Sequence, residues 1–242
     1  MLVPLAGWGQ ETLLSEVGFV LLPLFSTRDA CALRLVCREF LAAFTEHPWE
    51  DKGTVIQGSV AAWRACFPHA RCARVRKGDV DDGDEIRAAP VVDADFVHFE
   101  GLRELNMSDC RDVTDAAFVH LCGIHTLEMS WCDQATITDA AIAHLVGIQS
   151  LSIQGCDQAT ITDAAFAHLR GIQKLNMSQC IQLTDAAFVH LRGIRTLYMW
   201  MCDQATITAA ALEHIKGSVQ DLGMQGCRDE LVAAARALGL PV

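Results

Sequence analysis

The sequence carries little positive charge and no long apolar segment. It has 19 lysines and arginines against 30 aspartates and glutamates, a formal net charge of −11 at pH 7. Because a nucleic-acid partner would select for a basic surface, this balance argues against nucleic-acid binding. The longest apolar run, Phe19 to Phe25, is far shorter than the roughly 20 residues that span a bilayer. Met1 to Gln10 lack the basic and apolar regions of a signal peptide. We therefore expect a soluble protein of the cytoplasm or nucleus, without membrane contact.

Catalytic and cofactor motifs are also missing from the sequence. There is no G-x-S-x-G turn, no glycine-rich phosphate loop and no H-E-x-x-H pair. Cys66, His69 and Cys72 are close in sequence, but no fourth ligand is spaced to complete a zinc site. The sequence therefore predicts neither an enzyme nor a bound metal or cofactor.

Glycines recur at a regular interval through the second half of the chain. The successive spacings are 22, 24, 24, 22 and 24 residues, and the positions are Gly101, Gly123, Gly147, Gly171, Gly193 and Gly217. Each unit reads approximately G-[IL]-x-x-L-x-[MI]-x-x-C, followed by T-D-A-A-[FI]-x-H-[LI]. A period of about 20–29 residues with leucines at this spacing is typical of leucine-rich repeats. The predicted fold is an α/β, right-handed leucine-rich repeat solenoid, with parallel strands on its concave face and helices on its convex face.

Each unit is predicted to contain a short strand, a turn and a helix. In the first unit, alternation directs Leu105 and Met107 inward and Asn106 and Ser108 outward. Thr114 and its equivalents stand where residues that cap a helix N-terminus belong. Six of the eleven cysteines share one repeat position, so we expect reduced thiols in an intracellular protein. These six are Cys110, Cys132, Cys156, Cys180, Cys202 and Cys227.

A histidine also recurs, near the end of each predicted helix. The members of this row are His98, His120, His144, His168, His190 and His214. Metal binding would require several of them to converge with suitable partners. The simpler interpretation is a row of half-exposed residues, each packed against the next unit. We expect no metal site here.

The chain divides into four predicted regions. Before the repeats, apolar residues such as Val36, Phe40 and Phe44 recur at helical spacing. After Cys227 the repeat pattern is lost, and the sequence favours a helix that closes the open end of the stack. The regions are 1–51, a helical segment; 52–90, a linker with a degenerate first repeat and an acidic loop; 91–227, the repeats; and 228–242, a capping helix.

The differences between units indicate where a ligand binds. Units 123–146 and 147–170 are identical at 16 of 24 positions, and six of the eight differences lie within residues 125–131. This pattern is expected if the concave face is adapted to a ligand; drift of exposed positions is the alternative. Exposed aromatic residues are candidate hot spots, although each could simply cover a neighbouring strand or touch the terminal cap. The predicted target-binding residues are Glu128, Trp131, Asn176, Tyr198, Trp200 and Met201.

The chain resembles F-box proteins that carry cysteine-containing leucine-rich repeats. Besides the repeats, the resemblance covers Leu13 to Trp49 and is most specific in Leu35-Val36-Cys37-Arg38-Glu39-Phe40. The sequence departs from the family at Leu14, where proline is usual, at Pro23 within the first helix, and at Ala30, where leucine is usual.

The resemblance implies a small all-α F-box-like segment ahead of the solenoid. It also implies a substrate receptor of an SCF-type (cullin-RING) ubiquitin ligase, in which the F-box binds a Skp-type adaptor and the concave face binds a target protein. The residues implied in adaptor binding are Leu14, Leu24, Val36 and Cys37. The alternative is a stand-alone binding protein in which this segment only caps the solenoid. We expect a monomer in either case.

Overall fold

A computed structural model describes residues 26–33, 38–56, 58–75 and 90–242 of the chain. The helices before the sheet are α1 (Thr27–Leu33), α2 (Arg38–Glu46) and α3 (Val60–Cys66). The strands are β1 (Cys72–Arg74), β2 (Glu104–Asn106), β3 (Thr126–Glu128), β4 (Ser150–Ser152), β5 (Lys174–Asn176), β6 (Thr196–Tyr198) and β7 (Asp221–Gly223). The later α-helices are α4 (Asp115–Phe118), α5 (Asp139–Ala143), α6 (Asp185–Phe188), α7 (Ala209–Ile215) and α8 (Asp229–Ala237), and 3-10 helices span Asp93–Phe99, Val119–Leu121 and Asp163–Leu169. Each helix in the described part is too short or too polar to cross a bilayer.

The seven strands form one parallel sheet in chain order, from β1 to β7. The central leucines of neighbouring strands are register partners, for example Leu105 with Leu127 and Leu175 with Leu197. These leucines are buried and belong to one hydrophobic core that runs through the whole stack. Because a single unit cannot bury its apolar edge alone, the neighbouring units complete each other's core. The predicted α/β leucine-rich repeat solenoid is confirmed.

The predicted capping threonines are confirmed, and the aspartate that follows them has an additional role. Thr138 Oγ1 accepts the N–H of Ala140 at 3.1 Å. The Asp115 carboxylate, one unit earlier, accepts the N–H and the hydroxyl of Thr138, both at 2.7 Å. The same bridge joins Asp93 to Thr114, Asp139 to Thr162, Asp163 to Thr184 and Asp185 to Thr208. The aspartate therefore ties each unit to the next as well as favouring its own helix.

The fifth unit has Ala209 at this aspartate position, and its structural context differs accordingly. The next helix, α8, begins after Arg228 instead of a threonine. The next unit therefore also lacks the threonine hydroxyl that would donate to an aspartate at position 209. The loss of the aspartate coincides with the end of the repeat pattern.

Buried cysteines and glutamines form two further ladders between units. The Cys156 thiol donates to the carbonyl oxygen of Met129 at 3.2 Å, and Gln158 Nε2 donates to the carbonyl oxygen of Cys132 at 3.1 Å. Burial raises the pKa of the Cys132 thiol to about 12, so the thiol remains a protonated donor at neutral pH. The nine cysteines whose side chains the structure describes are all free thiols. The small cysteine side chain therefore serves the turn by satisfying a backbone carbonyl of the preceding unit.

The N-terminal helices pack on the start of the solenoid. Ser26 caps α1, because its N–H and hydroxyl donate to Asp29 Oδ2 at 3.1 and 2.7 Å while the Asp29 N–H donates to Ser26 Oγ. Trp49 donates from Nε1 to the carbonyl oxygen of Phe44 at 2.8 Å. A small cluster joins the helices to the segment before β1 and consists of Ala30, Phe44, Trp49, Phe67 and Ala70. Trp63 of α3 packs against both this cluster and the main core.

A short strand lies before the repeats, and a helix follows the last strand. Strand β1 lies within residues 67–75 and pairs with β2 in the same register as the later strands. At the other end, α8 buries Leu231 and Ala235 in the main core. The main core is thereby closed at the end that β7 leaves open.

Candidate functional site

The candidate site is the face of the sheet that points away from the core, together with the turn that follows each strand. In the turn, the residue before each repeat cysteine has a positive φ angle, and this position holds Asp109, Trp131, Gly155, Gln179, Met201 and Gly226. Backbone hydrogen bonds continue between units at this position, as from the Trp131 N–H to the Gln154 oxygen at 2.8 Å. The strands and turns therefore form one continuous surface, which we call the sheet face.

Trp131 lies over a glycine of the neighbouring unit. A Cβ atom on Gly155 would collide with atoms Cδ2, Cε3 and Cζ3 of the Trp131 ring, so the ring packs directly on the glycine backbone. Trp131 is nevertheless 40% exposed. Gly155 thus provides a flat support, and the ring keeps an accessible surface.

Tyr198 and Trp200 form a second aromatic cluster over a glycine. Their ring centroids are 5.2 Å apart with an interplanar angle of 31°. A Cβ atom on Gly223 of β7 would collide with Trp200 Nε1 and would lie 2.8 Å from Tyr198 Cδ1. Trp200 is 37% exposed, and its backbone N–H donates to Ser178 Oγ at 3.0 Å. The cluster is therefore held from below by β7 and from one side by the β5 unit.

Charged groups on both neighbouring strands border the Tyr198 ring. The phenol hydroxyl donates to Asp221 Oδ2 at 2.5 Å, which raises the pKa of Tyr198 because the bond favours the protonated phenol. On the other side, Lys174 Nζ lies 5.8 Å from the ring centroid. Tyr198 therefore already has a cation over its ring and a carboxylate at its hydroxyl.

Met201 repeats the arrangement seen at Trp131. It occupies the same turn position, is 58% exposed and has a φ angle of 56°. A Cβ atom on Gly226, the equivalent residue of the next unit, would lie 3.2 Å from Met201 Cγ. Gln179 Nε2 donates to Met201 Sδ at 3.2 Å. A large apolar residue thus faces a glycine in the next unit at two separate places.

The structure brings some of the predicted target-binding residues together and separates others. Tyr198, Trp200 and Met201 are contiguous, and Asn176 is the register partner of Tyr198. Glu128 and Trp131 lie three strands away, on and after β3. Each aromatic does cover a neighbouring strand or turn, as the alternative interpretation held, while its surface remains partly exposed. Their binding role stays a prediction.

The supporting glycines were missed in the sequence analysis, as were the charged neighbours of Tyr198. One signal was available for Gly155 and Gly226, since both occupy the repeat position held by Trp131 and Met201 in the preceding unit. Gly223 gave the same signal, because it occupies the strand position that Tyr198 holds in the preceding unit.

Each of the implied adaptor-binding positions lies outside the described residues or has no described side chain. Leu14, Leu24, Val36 and Cys37 fall in the ranges 1–25 and 34–37. Their role therefore stays an expectation from the family resemblance.

The histidine row shows one direct contact with a neighbouring unit. His120 Nδ1 lies 2.7 Å from Glu100 Oε1, a residue of the preceding unit. Most members of the row are half-buried, and His168 is exposed. Within the ranges that the structure describes, no three histidine, cysteine or acidic residues are grouped so that they could hold a metal ion.

Comparison with known proteins gives a likeness of fold only. No protein-family model matches the chain, and no curated protein matches it. The solved structures that resemble it include the TLR13–ssRNA13 complex, with 15% identity and a TM-score of 0.56 over 77% of this chain and 31% of that chain. Others are the Rad7–Elc1 complex of yeast (19% identity, TM-score 0.45, 58% of this chain and 42% of that chain) and LegL7 of Legionella pneumophila (11%, 0.46, 83% and 75%). This chain thus spans less than half the length of the matched TLR13 and Rad7-complex chains.

Proposed function

We propose that the protein is a non-enzymatic, monomeric scaffold that binds a target protein on its sheet face. The observation that carries this proposal is the placement of Trp131 and of the Tyr198–Trp200 cluster, each seated on a glycine and each partly exposed. Rigidly supported aromatic residues supply much contact area at a small entropic cost, which is why they dominate binding hot spots.

We further infer that the scaffold is the substrate receptor of an SCF-type ubiquitin ligase in the cytoplasm or nucleus. The support is the resemblance of residues 13–49 to an F-box, above all in residues 35–40. In this role Leu14, Leu24, Val36 and Cys37 would contact a Skp-type adaptor, and the sheet face would hold the protein to be modified.

The alternative function is a stand-alone binding protein whose N-terminal helices only cap the solenoid. One observation favours it. Ala30 and Phe44 of the first two helices are buried against Phe67 and Ala70, next to the first strand of the sheet. A cap is expected to bury its surface in this way, because the open end of a solenoid would otherwise expose the core.

Affinity capture followed by mass spectrometry tests the target-binding surface. We expect the double variant Tyr198→Ala, Trp200→Ala to lose a partner that the wild type retains. The matched control is Val119→Ala, Val189→Ala, since these valines are 49% and 43% exposed and belong to the helical side of the units. If the aromatic variant keeps every partner of the wild type, the sheet face is not the binding surface.

Direct binding to a purified Skp-type adaptor tests the ligase role. The double variant Leu24→Asp, Val36→Asp should abolish adaptor binding while the repeats remain folded by circular dichroism. Absence of adaptor binding by the wild type at micromolar concentration would reject the ligase role and leave the capping function.

A further inference from the structure

We propose that the sheet face binds an extended, positively charged segment of a protein, with cationic side chains placed over Trp131 and over the Tyr198–Trp200 cluster. This inference rests on the proposed function and adds the chemistry of the target. It follows from the aromatic supports, from the charge around them and from their separation.

The aromatic rings are suited to hold cations. Each ring lies against a glycine, so its orientation is fixed by the neighbouring unit while part of its surface remains open. A guanidinium or ammonium group over a tryptophan face is attracted by the negative charge of the ring face. The protein already contains one such contact, because Lys174 Nζ lies 5.8 Å from the centroid of Tyr198.

The turns that carry Trp131 and Met201 are acidic. Asp133 and Asp203 follow these residues by two positions; of the two units between them, the first has Asp157 at the equivalent position and the second has Ile181. Asp133 Oδ1 lies 3.6 Å from Arg111 Nη1, so these two residues form an ion pair. Asp157, Asp203 and Glu128 are exposed, and none of the three forms an ion pair within the described ranges. Exposed carboxylates without an ion-pair partner complement a basic segment and would repel the phosphates of a nucleic acid.

The distance between the two aromatic supports matches an extended peptide. Trp131 follows β3, and Trp200 follows β6, so three strand spacings of about 4.8 Å separate them, or about 14 Å. Four residues of an extended chain cover about 13–14 Å. The surface between the supports is polar, with Asn176 Nδ2 donating to Gln154 Oε1 at 3.1 Å. Such a floor offers hydrogen bonds to a peptide backbone, whereas the apolar face of a helix would find no apolar groove there.

Three labelled peptides of equal length test the proposal by fluorescence anisotropy. Each has a glycine–serine background with two identical residues four positions apart, and these residues are arginine, leucine or glutamate. We expect only the arginine peptide to bind, and its affinity should fall as salt is added. Equal or tighter binding of the leucine or glutamate peptide, or no binding of the arginine peptide, would overturn the proposal.

Variants of the protein locate the binding on the sheet face. Trp131→Leu and Trp200→Leu keep an apolar cover on the glycines but remove the rings, so each should weaken the arginine peptide about 2- to 5-fold. The double variant Asp157→Asn, Asp203→Asn should weaken it and flatten its salt dependence. The control Val119→Ala, Val189→Ala should bind as the wild type does. Binding that is indifferent to both tryptophan variants also overturns the proposal.

The outcome is separable from that of the proposed function. If the arginine peptide fails to bind but Tyr198→Ala, Trp200→Ala still loses a captured partner, the target is not basic and the sheet face remains the binding surface. If neither effect is seen, the binding surface is rejected as well.

Discussion

Removal of the Asp115 carboxylate is expected to destabilise the solenoid by about 2 kcal/mol. This carboxylate accepts the N–H and the hydroxyl of Thr138 in the next unit, both at 2.7 Å. A hydrogen bond to a charged group contributes about 1.5–3 kcal/mol, and both bonds are only partly buried, so water replaces part of this when Asp115 is changed to alanine. With an m value of about 2–3 kcal/mol/M, a loss of about 2 kcal/mol lowers the urea midpoint by roughly 0.7–1 M.

A double-mutant cycle distinguishes the bridge between units from an effect within one helix. An acidic residue in the first turn also stabilises its own helix by about 0.3–1 kcal/mol through the helix dipole. That effect is independent of Thr138, whereas the bridge predicts a coupling of about 1 kcal/mol or more between Asp115→Ala and Thr138→Val. Asp157→Ala is the control for the charge change, since Asp157 is exposed and should contribute less than about 0.5 kcal/mol. A coupling near zero, or equal losses for the two aspartates, would refute the bridge.

Two further predictions concern the buried thiols and the aromatic cluster. Burial raises the pKa of Cys110 and Cys202 to about 12, whereas unfolded thiols ionise near pH 8.5. Because the folded pKa is higher, the stability from these thiols should be fully present below about pH 8.5. Above that pH, the free energy of unfolding should fall by about 1.4 kcal/mol per pH unit for each such thiol, toward pH 12. A urea midpoint that stays constant between about pH 8 and 11 contradicts this. Gly223→Ala should displace the rings of Trp200 and Tyr198, and the Trp200 indole N–H signal should shift in NMR spectra. The control is Gly53→Ala, whose added Cβ would have its nearest neighbour at 3.7 Å and should leave that signal in place. An unmoved signal in Gly223→Ala would mean that the ring does not rest on the glycine.

The parts of the fold that depend on one unit could be predicted from the sequence. Alternation identifies Leu105 and Met107 as core residues, because a strand of this length has only one apolar side. Thr138 is recognisable as a capping residue, since the following Asp-Ala-Ala favours a helix start. Such features need no knowledge of the distance between units, so the repeat pattern suffices.

The side-chain hydrogen bonds of Asp115 and Gln158 between units were the part that the sequence did not predict. Asp115 is in the first turn of its own helix, but the groups that its carboxylate binds are on Thr138, 23 residues later. Gln158 stands in a loop position for which the sequence predicts no contact, yet its Nε2 donates to the carbonyl oxygen of Cys132 in the preceding unit. These contacts depend on the offset with which units stack, and a linear pattern contains no direct record of that offset.

The match between residues of neighbouring units also argues against the view that the exposed large residues arose by drift alone. Trp131 and Met201 have φ angles of 63° and 56°, a region that costs a residue other than glycine about 1–2 kcal/mol. Both are followed, one unit later, by a glycine at the equivalent position, and in both places that glycine backbone contacts the larger side chain. Drift would place a large residue and its glycine independently, and glycine would be favoured at every turn of this conformation. Asp109 and Gln179 have the same positive φ angle, so the strain belongs to the turn itself. What indicates a paired feature is that a large residue is matched twice by a glycine that makes room for it.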